Sequence, residues 1–483
     1  MPAGRSRRKA VLVTVLAVVL VLGLAVAGLV VVRPGPVAGW LGKGNDQVKP
    51  TPTAEPAPSP VLAAANASAP QPTPEGVRAA IEALVTGSGL GERVNVSVLD
   101  VASGDVLYDH GAEVPTVPAS TTKLVTAVAV LAARGPAYRI STRAVAGEAP
   151  GEVVLVGGGD PTLAVGSTGS YPGAARLDKL AEQVKQALGG ATPTKVTVDV
   201  SLFSGPVFEP GWDADIPTGG YGGEITALMT DGARVDPKQA TGGAARITKP
   251  DLAAGRAFAK LLGLPPEAVS TVDRGTAPSA PASAQPSSSP GTGTVEPGAE
   301  LGRVESPPMI RLVDFMLGES DNIVAECLAR QVALAKGEPA SFVGGATATL
   351  AVLNELGLPV GESKLADGSG LSRSNRLTPT LLTHVLALAG NGTRPEVTSL
   401  VEGLPVAAWS GTLNDRFGGQ STRPGAGVVR GKTGTLSGVH AISGVLTTAD
   451  GRLLAFAVLA DRVPLGPDQA QPKLDKIAAT LVG

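Results

Sequence analysis

The chain has 483 residues, enough for two or three domains. Hydrophobic residues make up 43% of it and aromatic residues only 3%, so Ala, Val and Leu must build the core. The formal net charge is −2, and Arg5, Arg7, Arg8, Lys9 and Arg33 stand in a first segment without an acid, so the remainder is more acidic still, which argues against a nucleic-acid partner. Residues 10–32 carry no charge and follow four of those cations. That run is long enough to cross a bilayer, and the positive flank keeps the N-terminus inside. The expectation is a cytoplasmic N-terminus at 1–9, a single-pass transmembrane signal-anchor at 10–32 and an exported body. Ala25-Val26-Ala27 also fits a signal-peptidase site, but the length of the run favours an uncleaved anchor. Residues 33–75 read as a Pro-rich tether, with too little apolar surface to fold.

Folded sequence starts near Glu75. A helix is expected over 76–86, and alternation around a short turn predicts a hairpin over 93–111. A helix follows over 121–134, stopped by Gly135 and Pro136. The tract 276–298 is rich in Pro, Ser, Ala and Gly and is expected to be a disordered loop between strand-like 268–275 and 299–305. Helices are expected at 309–335, 342–356 and 378–390, a second hairpin at 440–462, and a closing helix at the C-terminus. Strands at both ends with helices between imply an α/β domain closed by its own termini.

The lone Cys327 rules out an intrachain disulfide, and with only His110, His384 and His440 beside it the chain offers few ligands for zinc. No metal and no cofactor are expected. The run "GGGDP" at 157–161 lacks the phosphate-cradling G-x-x-x-x-G-K-[ST] pattern and reads as a turn at a domain crossing. Cys327 reads as a small buried apolar residue.

Three short stretches carry chemistry. In "PASTTKLVTA" (117–126), Ser120 heads a helix and Lys123 stands one turn on, on the same face. Alone this is an ordinary N-cap, and an S-x-x-K match arises by chance about once in such a chain. "GESDNIVAECLAR" (318–330) adds Ser320-Asp321-Asn322, and "VVRGKTGTLSGVHAISG" (428–444) adds Lys432-Thr433-Gly434. Each has a bland reading, as a helix cap or an exposed turn. All three in this order are the set found in class A β-lactamases and penicillin-binding proteins.

The sequence therefore resembles the penicillin-recognising serine enzymes, and specifically the D-alanyl-D-alanine carboxypeptidases of the penicillin-binding protein 4 type (peptidase family S13). "GEVVLVGGGDPTL" (151–163), "SLFSGPVFEPGW" (201–212), "DGSGLSRSNRLTP" (367–379) and "SGTLNDRF" (410–417) add to the resemblance, which spans residues 77–483. It implies a fold of the α/β (α+β) class: a transpeptidase/β-lactamase-like domain with an antiparallel sheet flanked by helices, assembled from 76–145 and 304–483. Ser120 and Ser320 lie 200 residues apart. The block 146–303 is then one or two β-rich inserted domains, and such an insert disfavours a β-lactamase. Asp321, as the middle residue of its motif, is more familiar from β-lactamases.

The roles that the resemblance implies are these. Ser120 is the nucleophile and Lys123 its base, since no histidine is motif-linked to Ser120. Ser320 relays a proton to the leaving amine. Asn322 holds the substrate amide. Lys432 and Thr433 bind the terminal carboxylate, Gly434 permits close approach of substrate to the strand, and the backbone N–H groups of Ser120 and Thr435 form the oxyanion hole. Peptidoglycan stem peptides ending in D-Ala-D-Ala are the implied substrates and β-lactam antibiotics the implied inhibitors. The implied location is the bacterial cytoplasmic membrane, with the catalytic part outside. Endopeptidase action on cross-links, a β-lactamase and a catalytically silent cell-wall binding module are the alternatives.

Overall fold

Period-two alternation assigns the three central strands of the first sheet to two cores at once. The computed structural model describes residues 68–87, 89–239, 243–280 and 295–483. The expected segments 1–9 and 10–32, nearly all of the 33–75 tether and the centre of the 276–298 tract lie outside these residues. Among those described, no helix is long and apolar enough to cross a membrane.

The described chain begins on a polar clip. Ala69 accepts a bond from Arg452 Nη1 (3.3 Å), Arg452 pairs with Asp100 (Nη2–Oδ1, 2.9 Å), and Gln71 Nε2 donates to Asp105 (3.0 Å). Helix α1 (Pro74–Thr86) follows, capped by the Thr73 hydroxyl on Gly76 N–H. The hairpin β1 (Val94–Asp100) and β2 (Val106–His110) and helix α2 (Thr122–Arg134) stand where the sequence places them.

The chain then leaves this domain. A second sheet contains β3 (Ser141–Ala146), β4 (Glu152–Val156), β5 (Lys195–Asp199), β6 (Asp273–Arg274) and β7 (Glu300–Glu305), with α3 (Leu177–Ala187) between β4 and β5 and α4 (Pro250–Leu262) between β5 and β6. Its order is β6-β5-β4-β3-β7. The β4–β5 and β5–β6 pairs are parallel, as strands joined through helices are. Strands β3 and β7 pair antiparallel from Ser141↔Glu305, so the excursion leaves and returns side by side. The strand-like reading of 268–275 needs correction: Pro266–Ser270 is helical and only Asp273–Arg274 is strand. The flanks of the 276–298 tract are built in. Ala277 N–H donates to Asp199 (2.8 Å) and Gly298 N–H to Ala146 O (2.9 Å).

Helices α5 (Met309–Gly318), α6 (Asn322–Lys336), α7 (Phe342–Glu355), α8 (Pro379–Gly390) and α9 (Pro395–Glu402) come next. The single helix expected at 309–335 is two. Ser320 sits between α5 and α6 at φ +57, a left-handed conformation that stops the first helix, and Asp321 caps the second through Val324 N–H (3.0 Å). Strands β8 (Arg430–Leu436), β9 (Val439–Thr447) and β10 (Leu453–Asp461) and helix α10 (Pro467–Thr480) end the chain.

The first sheet runs β2-β1-β10-β9-β8. The chain's two ends close it, Val94↔Ala460 through Asp100↔Leu454. On one face Leu99, Ala455, Ala457 and Leu459 pack with α2, α5, α6 and α8. On the other, Val96, Val98, Phe456 and Val458 pack with α1 and α10. Both faces are covered, so these strands read as apolar runs. The described residues of 200–249 have little regular structure, but Trp212, Ile216, Ile225 and Met229 seat them on Ile323 and Cys327 of α6. Cys327 is therefore a core residue.

Candidate active site

Ser120 lies in a 3-10 turn, Ala119–Thr121, that leads into α2. Ala119 is left-handed at φ +46, a strained conformation fixed by two glycines. A Cβ on Gly370 would stand 1.9 Å from Ala119 O, and one on Gly434 would stand 2.7 Å from Pro118 O and 3.1 Å from Ser120 N. Gly434 thus admits the nucleophile's own turn against β8.

Lys123 is fully buried at the start of α2. Its Nζ meets Ser120 Oγ at 3.0 Å, Asn322 Oδ1 at 2.6 Å and Ser369 O at 2.7 Å. Burial pushes the Lys123 amine down to about 8, against the opposing charges of Asp367, Glu326 and Asp321. The carbonyl-type oxygens of Asn322 and Ser369 can only accept. A neutral amine must give its two N–H bonds to them, which leaves its lone pair facing Ser120.

The second motif is clamped from the inserted block. Asn322 Nδ2 donates to Tyr221 O (2.9 Å), which turns Oδ1 toward Lys123 and leaves one N–H of the amide. Asp321 is buried and accepts from Arg234 Nη2 (2.7 Å) and Tyr171 OH (2.9 Å) on one oxygen. Burial alone would raise the Asp321 carboxyl, but Arg234, Arg246 and the Val324 N–H hold it below the usual range. These partners orient both neighbours of Asp321, namely Ser320 and Asn322.

The third motif lies on the edge strand β8. Gly431 N–H donates outward to Pro405 O (2.9 Å), and Ala407 N–H meets Val429 O (2.9 Å), so residues 405–407 cover the first part of that edge. By alternation the N–H groups of Thr433 and Thr435 point the same way, beyond the covered part. Thr435 follows Gly434, which touches the Ser120 turn. Lys432 is fully buried, and its Nζ donates to Thr433 O (2.8 Å). Burial and the Lys123 charge hold its amine well below the usual lysine value. Thr433 Oγ1 bonds Thr412 Oγ1 (2.9 Å). The structure thus gathers Ser120, Lys123 and Asn322 by direct bonds, places Ser320 at the turn before Asn322, and sets 432–435 against the Ser120 turn.

Several buried groups around the site escape a motif reading. Asp367 accepts from Gly370 N (2.8 Å), Ser372 N (2.6 Å), Asn375 Nδ2 (2.6 Å) and Trp212 Nε1 (2.9 Å). Glu326 accepts from Ser369 N (2.8 Å) and Gly368 N (3.1 Å), and burial with the nearby Asp367 pushes it up to about 7. The acid opening "DGSG" and the glutamate one helical turn past Asn322 are signals that could have found them. His384 bonds Thr380 O (2.8 Å) and His440 bonds Leu465 O (3.3 Å), packing roles in keeping with their bland reading.

A mixed α/β fold that holds a buried lysine on a helix-start serine defines a penicillin-recognising serine hydrolase. The chain matches the D-Ala-D-Ala carboxypeptidase 3 (S13) family over residues 77–268 and 290–481, and it belongs to that family. It is 40% identical over 413 residues to carboxypeptidase Rv3627c of Mycobacterium tuberculosis, covering 84% of this chain and 83% of that one. It is 37% identical over 467 residues to carboxypeptidase DacB of Mycolicibacterium smegmatis, covering 95% of this chain and 96% of that one. Among solved structures, penicillin binding protein 4 (dacB) from Haemophilus influenzae shares the fold, with a TM-score of 0.65 at 22% identity over 83% of this chain and 97% of that one.

Proposed function

We propose that the chain removes the terminal D-alanine from peptidoglycan stem peptides through an acyl-enzyme on Ser120, and that β-lactams acylate the same serine. The observation that carries this reading is the Lys123 Nζ, buried 3.0 Å from Ser120 Oγ with its other two partners acceptors only. Lys123 takes the Ser120 proton as Oγ attacks the penultimate D-alanine carbonyl. The N–H groups of Ser120 and Thr435 receive the oxyanion. Ser320 passes a proton to the leaving amine, D-alanine departs, and water releases the shortened peptide. The substrate adds along 433–436 as an extra strand, with the free N–H of the Asn322 amide on its backbone.

The terminal carboxylate is bound by Lys432 and Thr433, whose hydroxyl also meets Thr412 Oγ1 (2.9 Å). Its charge favours protonation of Lys432, and a cation there favours the neutral, basic form of Lys123. A cross-linked peptide presents the same bond, so release of D-alanine and cleavage of cross-links are to be assayed side by side. The test is a covalent fluorescent-penicillin band together with D-alanine release. Both should vanish in Ser120→Ala, and a band that persists in that variant would displace Ser120 as nucleophile.

The location is part of the proposal. Residues 10–32 are uncharged behind four cations, which supports an anchor in the cytoplasmic membrane with the catalytic part outside. Recovery of a soluble mature chain beginning at Gly28 would make them a cleaved signal peptide instead.

A further inference from the structure

A second charged residue reaches Lys123 without touching it. The Ser369 carbonyl that accepts from Lys123 Nζ (2.7 Å) belongs to the peptide group whose N–H is that of Gly370. That N–H donates to Asp367 Oδ1 (2.8 Å). One rigid peptide group therefore joins a buried carboxylate to the amine, with both of its dipole ends hydrogen-bonded. We propose that Asp367 is a positioning residue for the reaction: through the Ser369–Gly370 peptide it holds Lys123 on Ser120 and supplies the counter-charge for the ammonium formed when Ser120 gives up its proton. This rests on Ser120 and Lys123 acting as nucleophile and base.

The surroundings favour Asp367 over the other acids near Lys123. Four N–H donors converge on its two oxygens, the setting of a carboxylate that only accepts. Glu326 bonds the neighbouring peptide group through Ser369 N–H, and the carbonyl of that group, Gly368 O, is taken by the Thr126 hydroxyl (2.7 Å). Its chain ends at Thr126 and not at Lys123. Asp321 is matched by Arg234 at 2.7 Å. On the cationic side, Lys432 lies near enough to feel the Lys123 charge. Hydrogen bonds in such a chain polarise one another, so charge at one end is felt at the other. Gly370 serves both ends of this arrangement. At φ +89 it lets the loop turn, and without a side chain it lets Ala119 O come close. The residue that carries the link to Asp367 therefore also presses on the turn that aims Ser120.

The sign of the effect is definite. A negative charge beside Lys123 favours its protonated form, so removing that charge favours the neutral form. In Asp367→Asn the acid limb of Ser120 acylation by a fluorescent penicillin should move to lower pH, by about one pH unit. The plateau rate should fall at least about tenfold, because a weaker base takes the proton less readily. Asp367→Glu keeps the charge and should leave the limb within about 0.3 of its wild-type position while recovering part of the rate. A limb that stays in place or moves up in Asp367→Asn would reduce Asp367 to a structural brace.

Should Asp367→Asn not fold, the wild-type chain still gives the answer. Labelling that isolates the Ser369–Gly370 amide in NMR should show the Gly370 N–H titrating with the midpoint of the acylation limb. An amide shift that is flat across that range would overturn the link. If Ser120→Ala still labels, the underlying reading of the site fails first. If labelling depends on Ser120 and only the limb or the amide fails to respond, this inference alone is lost.

Discussion

Lys123 sets the chemistry because it is a charged group placed where charge is costly. Burial holds its amine near 8, and the neutral form is the one able to accept a proton. Acylation should therefore rise with pH through a limb centred near 8, read as the rate of fluorescent-penicillin labelling across a pH series. Lys123→Ala should lose at least about a hundredfold in that rate, the lower end of general-base effects. A near-normal rate in that variant would move the base role elsewhere. Lys432→Ala should hurt turnover of a substrate ending in a free carboxylate about ten- to a hundredfold more than turnover of one lacking it, the value of a charge-assisted bond. Equal loss on both would mean that Lys432 acts mainly on Lys123, an outcome its burial makes easy to picture. Ser120, Lys123, Ser320, Asn322 and 432–435 were legible in the sequence because each motif is contiguous. Asp367, Glu326, Arg234 and Tyr171 were not, because none belongs to the motif it supports and only the fold brings them to it.

The elements carry a second layer of control, the break between α5 and α6. Apolar residues flank the gap Gly318–Asn322 on both sides, and reading across that gap makes 309–335 one helix. The interruption comes from the left-handed Ser320 and the Asp321 cap, which periodicity does not report. Both hairpins were legible because alternation and a tight turn are local signals, whereas the clamp on Asp321 joins residues 171, 234 and 321. Breaking a buried ion pair from one side strands the other charge. Arg234→Met should therefore lower stability by about 3–5 kcal/mol, measured as a fall in the denaturation midpoint. It should also slow acylation, because Ser320 and Asn322 flank the stranded carboxylate. Arg234→Lys should restore part of both.

For the molecule as a whole, the inserted sheet is a side excursion whose exit and return strands pair, so the main sheet can close as though nothing intervened. That closure was legible from the strands at the two chain ends. The helical turn at Pro266–Ser270 was not, because a short apolar stretch has no period of its own. The tract within 276–298 is attached by its flanks: a Cβ on Gly298 would stand 2.0 Å from Ser279 O, so the base of the loop is already closed. Deleting 281–294 should leave the melting temperature and penicillin labelling unchanged, whereas deletion through 276–298 would also remove the bonds of Ala277 and Gly298. Loss of folding in the shorter deletion would overturn this.

The clip at Ala69, Arg452 and Asp100 also has a mechanical consequence. It stands at the start of β10, while the Ser120 turn is tied to the far end of that strand, where Val117 N–H donates to Asp461 (3.1 Å). Eight steps of about 3.3 Å put the two ends roughly 26 Å apart. A pull on the segment preceding Ala69 is therefore delivered to the hairpin turns, and the Arg452–Asp100 pair and α1 bear it before any strand can shift. The nucleophile's turn is held at the opposite end of β10 from this clip, so the two attachments share one strand without sharing a residue.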